Sequence, residues 1–353
     1  MARIFHLLDT LGIGGAEQMV ASLARWQAGQ GHTVHIHGLQ AGGPIADRIR
    51  AMYLPVSWND HPGRVRRLYA LHEELRTFAP DVLHCHNLVP TLYGTLAARL
   101  VGVACLLSTR HGLRASNDRA ERRYWFAARW HRYVVAVCDV TRANLAANRF
   151  ADPAKLITVR NGADLPDATP PEEAMPYAGF TLVAVGRLVR EKGYDCLLEA
   201  LAIARREEVQ LRLWLVGDGP ERIALEQRAH ALELDTSVCF LGTRSNVGYW
   251  LQNADLFVIS SFTEGLPISL LEAFAMGRAA VCTGVGGIPE AIEIARAGLV
   301  VPSREPQALA HAILRLVRNP EERHAMEQHA RRAYEEHFSI APMGRQYARL
   351  YGC

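Results

Sequence analysis

Glu264 and Glu272 bracket a segment whose residue types suit the binding of an anion. Glu264 follows an apolar run that we predict to be a strand. Gly265 then opens the backbone, and Leu266 and Pro267 lead into a predicted helix that carries Glu272. Backbone amides and the dipole at the start of a helix favour a negative charge, and carboxylates accept hydrogen bonds from hydroxyl groups. The segment therefore predicts a ligand with phosphate in its middle and hydroxyl groups at both ends, as in a nucleotide sugar.

A second loop supplies positive charge. Arg187 lies just after the first predicted strand of the second half, and Lys192 is followed by Gly193 before the next predicted helix. Of the 39 basic residues only Lys155 and Lys192 are lysines, so the lysine in this loop suggests a chemical role. A planar guanidinium beside a compact ammonium suits a diphosphate, with each charge-assisted hydrogen bond contributing about 1.5–3 kcal/mol. A solvated basic loop is the alternative.

The loop after the first predicted strand is rich in glycine. Gly12, Gly14 and Gly15 precede a predicted helix, where glycine permits positive φ and a close approach of the backbone. Glu17 stands where a dinucleotide-binding fingerprint would have its third glycine, which argues against a nicotinamide cofactor. A loop that approaches phosphate or acceptor and a plain tight turn both remain open.

Two other features have stronger structural interpretations than functional ones. Gly217, in the sequence Gly-Asp-Gly-Pro-Glu, marks a sharp turn whose position after a strand places it near a nucleotide. His84 and His86 end a predicted strand on one face, but a metal site needs a third ligand and the neighbouring sequence offers none. Packing at the strand end, or contact with an acceptor, is the preferred interpretation.

Short apolar runs alternate with longer amphipathic stretches along most of the chain, which is typical of βαβ units and parallel sheets. The Pro-rich stretch 165–180 interrupts this alternation and is predicted to be a linker. We therefore expect an α/β protein with two doubly wound Rossmann-like domains, residues 1–164 and 181–337, and ligands bound in a cleft at the carboxyl ends of the strands.

Composition limits the class of protein. The 353 residues are 49% apolar and 21% charged, which fits two globular domains and excludes a disordered or collagenous chain. No run of 18 apolar residues occurs, the N-terminus resembles a first strand and not a signal peptide, and seven cysteines without a C-x-x-C pair suit a reducing compartment. These observations predict a cytoplasmic protein.

Charge and aromatic residues point to one surface of the first half. Residues 1–165 hold 20 basic against 12 acidic side chains, whereas the remainder is acidic, and an uneven spread of solvated charge is the simpler explanation. Segment 119–133 mixes arginines with Trp, Phe and Tyr at helical spacing. It is interpreted either as a contact with an anionic membrane or a lipid-linked phosphate, or as an amphipathic helix with Trp and Phe facing inward. No nucleic-acid-binding module is present.

The motifs together resemble a known family. They are LGIGGAEQ from Leu11, His111-Gly112, Arg160-Asn161-Gly162, GRLVREKG from Gly186, and GDGPE from Gly217, followed by Glu264 and Glu272 with seven residues between them and by GGIPE from Gly286. The combination resembles glycosyltransferase family 4, the group 1 of retaining enzymes with the GT-B fold. The likeness covers nearly the whole chain.

The resemblance implies a role for each site residue. Arg187 and Lys192 would neutralise the diphosphate of the donor as it leaves, and Glu272 would hold the ribose hydroxyls. Glu264 would contact the hydroxyls of the transferred sugar, and His111 would approach that sugar from the other domain. All of these residues are therefore expected to touch the donor.

The family also implies features outside this set. Gly14 and Gly15 would line the cleft near phosphate and acceptor, Gly242 would lie near the base, and a helix in 338–353 would cross back to the first domain. Such enzymes need no metal or cofactor, and the sequence contains no Asp-x-Asp pair. The donor would carry UDP or GDP, and the acceptor would be a saccharide, a lipid-linked molecule or a small molecule in polysaccharide, glycolipid or glycoside assembly. Attack on the front face, with the leaving phosphate taking the acceptor's proton, is the expected route to retention.

Two other functions fit the same architecture. A nucleotide-sugar epimerase would turn over the donor without an acceptor. A non-catalytic subunit would keep the fold but lose the ability to bind a nucleotide sugar. The presence of Glu264, Glu272, Arg187 and Lys192 argues against the second.

Overall fold

The computed structural model describes residues 1–40, 42–61, 63–112, 119–149, 151–171, 179–207 and 210–352. The chain forms two compact units. The first contains residues 1–162 together with the chain from Ile340 onward, and the second contains Ala163–Ser339. Each unit is built around its own parallel sheet.

The sheet of the first unit has seven strands in the described part of the chain, in the order β3-β2-β1-β4-β5-β6-β7. All neighbours are parallel. The strands are β1 (Arg3–Leu8), β2 (Thr33–Gly38), β3 (Val56–Trp58), β4 (Val82–His86), β5 (Cys105–Arg110), β6 (Tyr133–Ala136) and β7 (Leu156–Thr158). Strand β4 is buried along its whole length, as expected for the centre of a sheet covered on both faces.

Helices connect the strands of the first unit. They are α1 (Gly15–Gly29), α2 (Pro44–Ala51), α3 (Arg64–Phe78), α4 (Leu88–Val101), α5 (Arg119–Ala128) and α6 (Asp139–Ala147). Phe5, Leu7 and Leu83 from the sheet pack with Leu71 and Leu75 of α3 to form part of the core.

The second unit repeats this plan with six strands among the described residues, in the order β10-β9-β8-β11-β12-β13. The strands are β8 (Phe180–Val185), β9 (Leu211–Val216), β10 (Val238–Gly242), β11 (Leu256–Ile259), β12 (Ala280–Thr283) and β13 (Gly298–Val301). The helices are α7 (Tyr194–Arg205), α8 (Arg222–Ala231), α9 (Val247–Gln252), α10 (Ile268–Ala275), α11 (Ile288–Ala295), α12 (Pro306–Arg318) and α13 (Pro320–Ala333). The predicted α/β class with two doubly wound domains is confirmed.

The last helix, α14 (Ile340–Tyr351), belongs to the first unit. Its Tyr347 hydroxyl lies 2.9 Å from Thr109 Oγ1 on β5, and its Tyr351 hydroxyl lies 2.8 Å from His84 Nδ1 on β4. A Cβ on Gly344 would contact the ring of Trp26 on α1, so glycine lets α14 pack closely. These buried contacts attach the end of the chain to the unit in which it began.

The border of the second unit differs from the predicted linker at 165–180. Residues 163–171 belong to the second unit, and residues 172–178 lie outside the described part of the chain. Asn246 Nδ2 donates to the Thr169 carbonyl at 2.7 Å, and a Cβ on Gly248 would meet the carbonyls of Pro166 and Asp167. Proline prevents this stretch from joining a sheet, but the stretch still packs against α9. Among the described residues, no helix has both the length and the apolar character needed to cross a membrane.

Candidate active site

An ion pair between Lys192 and Glu264 lies at the centre of the predicted anion site. Lys192 Nζ donates to Glu264 Oε1 at 2.6 Å, and Ser261 Oγ donates to the same oxygen at 2.7 Å. The two charged side chains are 24% and 12% exposed, so the pair is largely shielded from water. Hydrogen bonds to an ionised carboxylate are shorter and stronger than those between neutral groups, so this oxygen holds both donors firmly. Two of the predicted site residues are thus in direct contact.

The loop between β8 and α7 positions Lys192. Residues Arg190–Lys192 form a single 3-10 turn, and Gly193 follows with φ of +60°. A Cβ on Gly193 would collide with the Ser260 carbonyl, so only glycine fits both the backbone angle and the space. Ser260 Oγ donates to the Lys192 carbonyl at 2.9 Å. The cationic loop is therefore attached to the loop that carries Glu264.

A third loop, between β12 and α11, supports Glu264 from its other side. Gly286 has φ of +58°, and a Cβ there would collide with the Glu264 carbonyl. Gly287 N donates to the Gly265 carbonyl at 2.6 Å. Thr283 Oγ1 donates to the Ser261 carbonyl at 2.7 Å. The sequence analysis assigned no role to this loop, although its Gly-Gly-x-Pro-Glu motif was the available signal.

Gly217 and Gly242 meet at the carboxyl ends of β9 and β10. Gly217 N donates to the Gly242 carbonyl at 2.9 Å, and the two residues form an isolated bridge. A Cβ on Gly217 would collide with the Gly186 carbonyl, next to Arg187. The Arg187 side chain is exposed and forms no ion pair with any described residue. At this edge of the sheet, backbone without side chains therefore lies near the Arg187 guanidinium.

Glu272 lies on α10, in the helix that begins after Pro267. It is half-buried and close enough to Tyr334 for its charge to affect that phenol. Burial raises the pKa of Tyr334 to about 12, and the carboxylates of Asp164 and Glu272 add to the effect. Backbone amides at the start of this helix were expected to favour an anion, but Pro267 occupies the N-cap and has no N–H to donate.

His111 follows β5 in the first unit. Its backbone N–H donates to Asn87 Oδ1 at 3.0 Å, and its Nε2 lies 3.0 Å from His86 Nδ1. Burial and the neighbouring Arg110 charge lower the pKa of His111 to about 3, so the ring is neutral near pH 7. A neutral imidazole offers one donor and one acceptor.

The glycine-rich loop after β1 differs in backbone from its prediction. None of Gly12, Gly14 and Gly15 is among the described residues with positive φ. Gly14 is extended at φ of −162° and is the N-cap of α1, of which Gly15 is the first residue. The Glu17 carboxylate occupies the space that a Cβ on Gly14 would need. No left-handed angle requires glycine here, and the group in the way is the far end of a flexible side chain.

The histidines at the end of β4 do have a third neighbour, contrary to the sequence analysis. His6 lies on β1 directly beside His84 in the register, and one ring nitrogen from each of His6, His84 and His86 lies within 4.8 Å of the others. The expectation was wrong because His6 and His84 are 78 positions apart in the chain, and only the pairing of β1 with β4 brings them together.

Helix α5 exposes its large aromatic residues, contrary to the amphipathic alternative. Trp125 is 40% and Phe126 59% exposed, whereas Tyr124 is fully buried. Arg129 lies over both exposed rings, 5.6 Å from the centroid of Trp125 and 4.7 Å from that of Phe126. The side chains of residues 119–121 lie outside the described part of the segment. The exposed face therefore combines aromatic rings with a guanidinium.

Comparisons with known proteins agree with this architecture. The family described as "Glycosyltransferase Family 4" matches residues 13–166, and "Glycosyl transferases group 1" matches residues 170–333. HepE of Anabaena, solved in complex with UDP-glucose, superposes with a TM-score of 0.87 over 100% of both chains at 19% identity.

Two curated relatives align over most of the chain. A phosphatidylinositol N-acetylglucosaminyltransferase component from Arabidopsis thaliana is 27% identical over 88% of this chain and 74% of its own length. The UDP-Gal:alpha-D-GlcNAc-diphosphoundecaprenol alpha-1,3-galactosyltransferase of Escherichia coli is 24% identical over 77% of this chain and 76% of its own length.

Two Rossmann-like units with this motif set define a glycosyltransferase of the GT-B fold. The chain belongs to the group 1 glycosyltransferases, with a first unit of the family 4 type.

Proposed function

We propose that this enzyme transfers a sugar from a nucleoside diphosphate sugar to a hydroxyl acceptor, with retention at the anomeric carbon and without a metal ion. The observation that carries the proposal is the contact between Lys192 and Glu264, 2.6 Å apart, with Lys192 in a loop that also holds Arg187. A cation for phosphate and a carboxylate for hydroxyls are thus adjacent. A donor in which a sugar is bonded directly to phosphate needs these two groups close together.

Each residue has a defined part in the proposed reaction. The bond between the anomeric carbon and the donor phosphate breaks while the acceptor oxygen forms the new bond on the same face. The departing diphosphate takes the acceptor's proton, and Arg187 and Lys192 stabilise its charge in place of a divalent ion. Glu264 orients the sugar through its hydroxyls and supports positive charge on the ring. Glu272 holds the ribose hydroxyls, and His111 contacts the transferred sugar.

The backbone glycines complete the proposed donor site. Gly217 and Gly242, which are hydrogen-bonded to each other, admit the nucleotide at the carboxyl ends of β9 and β10. Gly265, Leu266 and Pro267 lie beside the phosphates. Gly14 and Gly15, at the start of α1, lie beside phosphate or acceptor.

UDP is the first nucleotide to test. HepE was solved with UDP-glucose, and the E. coli relative is named for a UDP-galactose donor. The acceptors in the names of the two relatives, a phosphatidylinositol and a diphosphoundecaprenol sugar, are lipids. A lipid-linked acceptor in glycolipid or polysaccharide assembly is therefore the proposed class.

The exposed face of α5 supports a location at the inner face of the membrane. Trp125 and Phe126 project from α5, Trp130 is 45% exposed and Leu100 on the adjacent α4 is 65% exposed. The Arg99 guanidinium lies 3.5 Å from the centroid of the Trp130 ring. Aromatic rings with interspersed arginines suit the interface of an anionic bilayer. We propose that this face binds the membrane that carries the acceptor.

Thermal unfolding against UDP, GDP, ADP and dTDP tests the donor site, with Glu272→Ala as the control. A nucleotide at about 100 times its Kd stabilises the folded protein by roughly 2.7 kcal/mol, which raises the Tm by a few degrees. We expect one nucleotide to raise the Tm and Glu272→Ala to abolish that rise.

Transfer assays with the matching sugars then separate the remaining possibilities. Activity in EDTA and an α-linked product from an α-linked donor are expected. Turnover of the donor without acceptor would instead indicate an epimerase, and no response to any nucleotide would indicate a non-catalytic subunit.

A further inference from the structure

Four polar side chains form a continuous row of hydrogen bonds inside the first unit and end at His111. Gln27 Oε1 lies 2.8 Å from His6 Nε2, and His6 Nδ1 lies 3.1 Å from His86 Nε2. His86 Nδ1 lies 3.0 Å from His111 Nε2. Gln27, His6 and His86 are at most 2% exposed, so no solvent separates these contacts.

The chemistry of each partner sets the direction of every hydrogen bond in the row. The Gln27 oxygen only accepts, so His6 carries its proton on Nε2 and accepts at Nδ1. His86 must then donate from Nε2 and accept at Nδ1, which leaves His111 donating from Nε2. A neutral imidazole has one proton, so His111 Nδ1 carries a lone pair. Burial lowers the pKa of His6 to about 4 and that of His86 well below its usual range, so both rings are neutral near pH 7.

A second row of contacts begins at the nitrogen of the Gln27 amide. Gln27 Nε2 donates to the Tyr351 hydroxyl at 3.3 Å, and that hydroxyl lies 2.8 Å from His84 Nδ1. His84 Nε2 lies 2.7 Å from Thr109 Oγ1. Reversing the amide would reverse the row through His6 and His86 and put a proton on His111 Nδ1. That atom is buried without a partner among the described residues, and a buried N–H without an acceptor is rarer than an unpaired acceptor.

We propose that Gln27 is a positioning residue which, through His6 and His86, holds His111 in the tautomer that presents an Nδ1 lone pair to a hydroxyl of the transferred sugar. The proposal rests on the proposed function, which places His111 against that sugar. The sugar hydroxyl donates to Nδ1, and the ring does not change its protonation. Gln27 thereby affects catalysis without contacting the substrate.

The tautomer is measured directly, without any substrate, from long-range ¹H–¹⁵N correlations of histidine-labelled protein, with His111→Asn used to assign the signal. We expect His111 Nδ1 to be unprotonated in the wild type and Gln27→Met to give a mixture of tautomers. A protonated Nδ1 in the wild type would overturn the proposal. One zinc per chain, measured on the purified protein, would also overturn it, because His6, His84 and His86 would then bind the ion with the lone pairs that the row requires.

Kinetics separate positioning from general stability. Tyr351→Phe is the matched control, because it removes the other hydrogen bond of Gln27 and leaves the contact with His6. We expect Gln27→Met to lower kcat about tenfold, the equivalent of one hydrogen bond to the substrate, with the KM for donor nearly unchanged. Tyr351→Phe should lower the Tm similarly but change kcat less than twofold.

Equal losses of kcat in Gln27→Met and Tyr351→Phe would overturn the proposal, because Gln27 would then act only on the stability of the fold. If the wild type transfers no sugar, the proposed function fails, whereas the tautomer measurement still decides the state of His111.

Discussion

Lys192 and Glu264 are 72 positions apart in sequence but 2.6 Å apart in space, and a hydrogen bond from Ser261 to the same carboxylate oxygen accompanies the pair. Because both charges are largely shielded, each is held in one place by the other. An anionic ligand that binds Lys192 can do so without a large rearrangement, since the three loops around the pair are already hydrogen-bonded together. Protein contacts therefore hold the three loops of the candidate site together.

Replacing Lys192 tests both its part in sugar transfer and its contribution to stability through Glu264. We expect Lys192→Ala to lower sugar transfer by about 10²–10³-fold, since the charge on the leaving diphosphate loses a preorganised partner. It should also lower the free energy of unfolding by about 1–3 kcal/mol, because Glu264 loses a charge-assisted hydrogen bond. Lys155→Ala is the control. It is the other lysine of the chain, and its Nζ donates to a carbonyl in the first unit at 2.7 Å. Near-normal transfer by Lys192→Ala would contradict the site assignment.

The role of the third loop is tested at Gly286. Alanine at this position meets both a left-handed backbone, with φ of +58°, and the Glu264 carbonyl. Gly277→Ala provides the comparison. It has a similar φ of +67°, but the nearest atom to its Cβ is 3.8 Å away. The backbone term costs about 1 kcal/mol in both variants. We expect Gly286→Ala to lose at least twice as much stability as Gly277→Ala in urea unfolding, and to lose transfer activity that Gly277→Ala retains.

The sequence was sufficient to predict both sheets because short segments rich in apolar residues alternate with longer amphipathic stretches along most of the chain. Strands β3 and β13 carry a weaker signal in the sequence. Val56–Trp58 is only three residues long, and Gly298–Val301 starts with a glycine. Hydrophobic periodicity needs a longer segment to distinguish a strand from a loop.

Contacts between segments that lie far apart in the chain could not be predicted from the sequence. That Lys192 and Glu264 both belong to a donor site is a prediction made from their loops, whereas their direct contact is visible only in the fold. His6 was not considered as a neighbour of His84, because the register of β1 against β4 is a property of the folded sheet. The orientation of Trp125 and Phe126 stayed open between two alternatives, since composition does not indicate which face of a helix packs inward.

The buried histidines of the first unit make its stability depend on pH. Burial lowers the pKa of His6, His37 and His131 to about 4, against about 6.5 in an unfolded chain. The unfolded state therefore binds more protons between pH 6.5 and 4, so stability is complete above pH 6.5 and is lost as the pH falls towards 4. Each such histidine lowers the free energy of unfolding by about 2 kcal/mol at pH 5, relative to its value above pH 6.5.

Hydrogen exchange at pH 7 and pH 5 measures this dependence for each unit. We expect the amides of β1 and β4 to lose protection on acidification before those of β8 and β9. Equal loss in both sheets would contradict an origin in the buried histidines. His37→Phe, which removes one of the titrating groups, should flatten the dependence.

Membrane binding by the exposed face of α5 is tested by Trp125→Gln combined with Phe126→Gln. These side chains are 40% and 59% exposed, so the replacement should leave the fold unchanged. We expect the wild type to sediment with vesicles containing anionic lipid and the double variant to do so at least fivefold less, because two interfacial aromatic anchors are lost. Ile223→Gln is the control, since Ile223 is 70% exposed on α8 of the second unit. Binding should weaken as salt increases. Equal sedimentation of the double variant and the Ile223→Gln control would show that the membrane contact lies elsewhere on the chain.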